Sequence, residues 1–297
     1  MAVGIVDRQK LVNIADAVRA KKGITGNMTL DAIASNITSM PISDNNAKFD
    51  FAGSGSKSSG GLISYLTTID LSGLDTSSYT YMDSMFNGCS SLTSLDVSNF
   101  NTSKVTDMGD MFQDCSSLTS LDVSNFNTSN VTMMTGMFCR CSSLTSLDVS
   151  NFNTSNVERM TSMFQFCSSL KTLDLSNFNT SKVTDMGYML FGCSSLKTLD
   201  LSNFDTSNVD FMNGMFGNCS KLSNLKLGTN WASNSSISSF DLSSCPLTHE
   251  SALDVINNLA TRDNSPVIRF SLNVKLSQSE INVATNKGWS VIRVPAL

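Results

Sequence analysis

Two hydrophobic rhythms alternate along the chain, and the alternation itself returns at a fixed interval. Leu118, Leu121 and Val123 are apolar, with polar Ser120, Asp122 and Ser124 between them. That period of two predicts a short strand with one buried face. A few residues on, Val131, Met134, Met137, Phe138 and Cys141 are spaced by three or four. This predicts a short helix on the opposite side of the coil. Between the two, Asn127, Thr128 and Ser129 supply a turn and a hydroxyl side chain for the helix cap.

The same phrase recurs as M-F-x-x-C-S-S-L-x-x-L-D-[VL]-S-N-F-[ND]-T-S-x-V-x-x-M-x-x. Cys89, Cys115, Cys141, Cys167, Cys193, Cys219 and Cys245 follow one another at 26-residue steps without a slip. A strict period of this length predicts stacked coils, each burying its apolar face on the next. Units run 85–110, 111–136, 137–162, 163–188 and 189–214, with a degenerate 215–240 and a worn first coil at 59–84. Ten of the 17 phenylalanines fall in two columns starting at Phe86 and Phe100, and 12 of the 16 methionines in two more starting at Met82 and Met85. At about 25 cal/mol per Å² of apolar surface, each column member contributes on the order of 2 kcal/mol. Packing therefore explains the repetition. The expected fold is an α/β solenoid of about seven repeats over 59–240.

Both ends depart from the repeat. Residues 7–22 place Leu11, Ile14, Ala15 and Val18 on one helical face, and 29–39 does the same with Leu30, Ile33, Ala34 and Ile37. A helical hairpin over 1–40 is expected, followed by a polar linker at 41–58 that ends in "AGSGSKSS". The other end, 241–297, reads as an α/β cap. Thr248 is a helix N-cap, 267–272 a strand, Ser277 with Glu280 a capping box, Gly288 a helix stop and "WSVIRV" a final strand. Such a cap shields the apolar columns of the last coil.

Composition narrows the function. Charged residues are 15% of the chain, its net charge is −5 and its pI is near 4.8. Phosphate binding needs a basic face, so nucleic acid is excluded as a partner. No apolar run reaches eighteen residues, so no membrane insertion is expected. "MAVGIVDRQKLVNIADAVRAKK" has no signal-peptide h-region, which predicts a protein made in and retained by a cytoplasm unless a route other than Sec carries it out.

The units resemble those of the BspA-like leucine-rich repeat family of bacterial surface proteins, which read much like "CSSLTSLDVSNFNTSNVTDMxxMF". That resemblance spans 59 to about 245 and implies that the α/β solenoid is a leucine-rich-repeat-like right-handed coil, with a role in adhesion or ligand recognition without catalysis. "LVNIADAVRAKKGITGNMTLDAIASNI" is similar to a segment near one end of many tail and receptor-binding proteins of phages that infect Gram-positive hosts. The cap resembles the ending of phage-encoded members of the repeat family. Together they imply a virion tail protein, attached to other tail proteins through Leu11, Ile14, Val18, Leu30, Ile33 and Ile37. It would form a homo-oligomer in the particle and display the solenoid to a host glycan or surface protein. A structural or decoration component of the virion, and a bacterial surface adhesin, are the alternatives.

Candidate chemistry is sparse. The cysteines are expected to be reduced and buried, with Cys139, off the period, facing solvent. Asp96, Asp122, Asp148, Asp174 and Asp200 recur once per coil on the exposed strand face. They form either a hydrogen-bonded ladder with Ser and Thr or a cation- or glycan-binding row. Met133, Arg140, Glu158, Arg159, Phe166, Tyr188, Phe191 and Phe211 interrupt a plain polar surface on the expected helix side and its flanks, as binding hot spots or as surface drift. His249 is the only histidine, and no Walker loop, H-E-x-x-H or nucleophile elbow is present. The reading is a non-enzyme with no cofactor and no metal.

Overall fold

The computed structural model describes residues 67, 68, 71 and 74–295. The expected hairpin at 1–40, with its six attachment residues, the linker and most of the first coil lie outside the described residues.

Each 26-residue unit lies on the next in register. Parallel bridges join Tyr81 to Asp107, Asp107 to Met133, Met133 to Arg159, Arg159 to Asp185 and Asp185 to Phe211. The columns follow from this register. Phe86, Phe112, Phe138 and Phe164 stack at 5.6, 5.7 and 5.8 Å between centroids, with rings within 8° of parallel. Leu190 takes the next place. Both methionine columns and the valine column from Val105 to Val209 are buried.

The expected helix is not there. Over 134–141, N–H groups point alternately along the stack and along the chain. Met134, Gly136, Phe138 and Arg140 donate to Arg159, Thr161, Met163 and Gln165 one unit on, whereas Met137, Cys139 and Cys141 donate to the carbonyl three residues back. The physical cause is a pair of left-handed residues in every unit: Ser84 and Gly88, Asp110 and Asp114, Gly136 and Arg140, Ser162 and Phe166, Tyr188 and Gly192, Gly214 and Asn218. A left-handed residue every four positions breaks an α-helix, and successive tight turns produce the same spacing of three and four.

Strands also form less often than the alternation suggests. Only β1 (Thr198–Leu201) and β2 (Asn224–Leu227) make a regular ladder among the described repeats, parallel, with Asp200 opposite Lys226. In earlier units Leu121 and Val123 point inward and Asp122 outward in the same way. The Asp–Ser turn that follows this segment is common to units with and without a regular strand, since β1 carries it too, at Asp200 and Ser202.

Polar groups between coils are paired by side chains. Thr154 is 1% exposed; its hydroxyl donates to the Asn179 carbonyl (2.9 Å) and accepts from the Asn179 N–H (2.8 Å). Thr76, Thr102, Thr128 and Thr180 make the same reciprocal clasp. Asn99, Asn125, Asn151, Asn177 and Asn203 each donate to carbonyls of the preceding turn. The cysteine thiols donate as well: Cys141 Sγ lies 3.1 Å from the Phe112 carbonyl and Cys167 Sγ 3.1 Å from that of Phe138. All eight cysteines are free and buried, including Cys139, contrary to its expected exposure. Cys139 meets Gln165 Oε1 of the next coil, and burial pushes its thiol pKa up to about 11.

The C-terminal cap continues the parallel stacking. β3 (Ser239–Leu242), β4 (Val267–Ser271) and β5 (Ser290–Val294) form one parallel sheet in that order. The connections are α1 (His249–Asn258), N-capped by Thr248, and α2 (Gln278–Asn286), with the Ser277–Glu280 capping box. α1 closes the open edge of β2, because Ser251 Oγ donates to the Leu225 carbonyl and accepts from its N–H. Gly288 is left-handed, and a Cβ there would come within 1.8 Å of the Arg262 carbonyl. None of the described helices is long and apolar enough to cross a membrane.

Candidate functional site

Asp96, Asp122, Asp148, Asp174 and Asp200 line up on the exposed strand face, each tied within its own unit. Each carboxylate accepts the N–H of the serine two residues on, at 2.9–3.0 Å. In Asp96, Asp122, Asp148 and Asp200 that serine's hydroxyl and then its N–H hold the carboxyl below its ordinary value. For Asp174 the N–H leads. The ladder between coils foreseen for this row is therefore a series of separate turns, with Lys226 reaching Asp200 at 3.5 Å. Among the described residues no three His, Cys, Asp or Glu side chains are grouped to hold a metal ion.

The turn face is different. Arg140, Phe166 and Tyr188 come together there, joined by Phe191. The Arg140 guanidinium lies over the Phe166 ring at 5.2 Å, and Arg140 also faces Asp114 at 3.9 Å. Phe166 meets Phe191 edge-on at 5.3 Å, and Phe191 meets Tyr188 at 5.7 Å. Each ring rests on a glycine of the next coil. A Cβ on Gly192, Gly214 or Gly217 would fall 2.5, 2.7 or 2.6 Å from Phe166, Tyr188 or Phe191 respectively. Arg159 and Phe211 stand in a separate row, that of the single bridges; Phe211 is 58% exposed.

Arg140, Phe166 and Tyr188 all occupy left-handed backbone, with φ of 60°, 58° and 56°. Other units fill these places with Ser, Asp, Asn or Gly, which tolerate that conformation better. For a large side chain it costs roughly 1–2 kcal/mol. Phe191 is among the residues that the sequence singles out on this surface, and its seat is signalled by an aromatic residue followed by glycine, Gly217, at the matching place of the next unit. His249 Nε2 lies 2.9 Å from Glu280 and links α1 to α2.

No curated protein matches the chain. One family model matches twice, over residues 62–172 and 143–244. The two matches overlap within the stacked units and together span well over half of the sequence. The chain belongs to the family described as Mycoplasma protein of unknown function, DUF285.

Proposed function

We propose that the stacked units are a right-handed solenoid of leucine-rich-repeat type, of the BspA-like kind. In this reading the protein is a non-enzymatic bacteriophage tail protein that recognises the host cell surface through the solenoid and attaches to the particle through residues 1–40. The carrying observation is the turn-face ledge. Two consecutive units hold three large side chains in strained backbone although the core beneath them is complete, and Tyr188 remains 45% exposed. Strain kept at the surface points to recognition. The in-register bridges from unit to unit and the like-on-like columns support the solenoid.

Fluorescently labelled protein is expected to decorate host cells, and purified wall polysaccharide or protease treatment of the cells then separates glycan from protein receptors. Arg140→Gly with Tyr188→Asn, both suited to left-handed backbone, should abolish decoration while leaving the melting temperature within a few degrees. Unchanged decoration by the double variant would refute the ledge. A structural or decoration role is the second reading, favoured by one fact: Phe166 is covered by Arg140 on one side and Gly192 on the other. It predicts incorporation into particles with no cell binding at all.

A further inference from the structure

The asparagine clasp between coils stops at one place. Asn203 donates to the carbonyls of Leu175 and Phe178, but at the matching place of the following unit the chain has Thr229, after Gly228. Gly228 is pressed against the preceding turn, where a Cβ would come within 2.4 Å of the Phe204 carbonyl. The loop 229–233 is tied back to the turn at 202–207, where the Ala232 N–H donates to Thr206 Oγ1 at 3.0 Å, and loop and turn together border a cleft of about 650 Å³ whose lining Ala260 and Thr261 complete.

We propose that this cleft binds a neutral saccharide. The volume falls within the range of small-molecule sites, roughly 300–1,000 Å³. Its lining is hydroxyl and amide, from Ser207, Thr229, Ser233, Thr261 and Asn230, with one carboxylate, Asp205, and no basic side chain. Hydroxyls and amides both donate and accept, as a polyol requires. A lone carboxylate takes hydroxyl protons and repels anions.

Two observations show that the cleft is built and not a gap in packing. Asp205 stands where the four preceding units have Asn101, Asn127, Asn153 and Asn179, all of which accept the same serine N–H. One oxygen of Asp205 holds that turn at 2.9 Å, so the exchange of amide for carboxylate adds an acceptor on the cleft side without altering the fold. The opposite wall is rigid and strained. Asn230 and Ala232 are both left-handed at φ 57°, Arg262 donates to the Ala232 and Ile237 carbonyls, and Trp231 between them is fully buried with its indole N–H unpartnered. Strain of this kind collects at binding sites.

The test uses the full chain and a panel of glucose, galactose, N-acetylglucosamine and their short oligomers, read by saturation-transfer NMR and titration calorimetry. At least one neutral sugar should bind. Asp205→Asn, which restores the residue of the four preceding units, and Asn230→Gly, which keeps the left-handed backbone, should each weaken binding tenfold or more with the melting temperature unchanged. Binding of none of the panel, equal binding by both variants, or a preference for sugar acids would overturn the proposal. Because the ledge lies elsewhere, Tyr188→Asn should leave sugar binding intact. Loss of cell decoration by ledge variants therefore judges the ledge alone, and loss of sugar binding by Asp205→Asn judges the cleft alone.

Discussion

At the scale of single residues, coils adhere through donors that a hydrophobic count overlooks. Thr154 is among the most buried side chains because its hydroxyl answers both polar groups of Asn179. Thr154→Val keeps the shape and orphans the part-buried N–H and carbonyl of Asn179, so it should destabilise by about 1 kcal/mol, and Thr154→Ser by less, as measured by denaturant unfolding. The sequence suggests a helix cap for this threonine, since a hydroxyl after Asn reads alike whether it bonds its own turn or the next coil. The cysteines are legible as buried and reduced. Their S–H bond to a carbonyl of the preceding coil is not, because only the stacking brings that carbonyl near. The aspartates give a pH signature. Their carboxyls sit below the ordinary 3.8 in the fold, so their turns stabilise it above that value, and the stabilisation is lost as pH falls through it towards the depressed folded value. The melting temperature should therefore fall modestly below about pH 4, since these carboxylates are exposed and screened by solvent. Replacing the five Asp residues with Asn, which makes the same turn elsewhere in the chain, should flatten that drop.

At the scale of elements, the turn side shows how one spacing can arise from two geometries. Apolar residues at steps of three and four fit a helix and also fit consecutive turns with every second N–H directed to the neighbouring coil. Left-handed residues decide between them, and Gly136, Gly214, Asp110 and Asn218 are visible hints of it. Seating of rings on glycines is testable by coupling. Gly192→Ala places a Cβ 2.5 Å from Phe166 at φ +77°, and about 1–3 kcal/mol of destabilisation is expected from strain and overpacking. In a Phe166→Ala background the overpacking part disappears and only the backbone part remains, so a double-mutant cycle should return a clear interaction energy. Additive effects would mean the ring does not rest there.

At the scale of the molecule, the period and the columns are readable because stacking imposes identical environments on equivalent positions of successive units. The cap signals at Thr248, Ser277, Glu280 and Gly288 are readable because helix ends obey local rules. That the cap builds a parallel sheet of its own is not, since Ser239 pairs with Val267 and Val267 with Ser290, two unequal intervals that no repeat announces. The sheet ends at β5, whose Arg293 pairs in register with buried Phe270 and whose strand stops at Pro295. A charge in an inward-alternating place and a proline guard an edge against further strands. Arg293→Val should therefore raise self-association, seen as a concentration-dependent increase in sedimentation coefficient.

The central claim is that each residue of a repeat lies against its counterpart in the next unit, as Asp107 does against Met133. The most direct measurement is equilibrium unfolding of two internal deletions, one removing 137–162 as a whole unit and one removing only 137–149. Register-preserving loss of one coil should leave a single cooperative transition and a slightly smaller denaturant dependence, whereas the half-unit deletion should abolish cooperative folding. If both deletions unfold alike, or the half-unit deletion is the better tolerated, the unit-to-unit register is wrong.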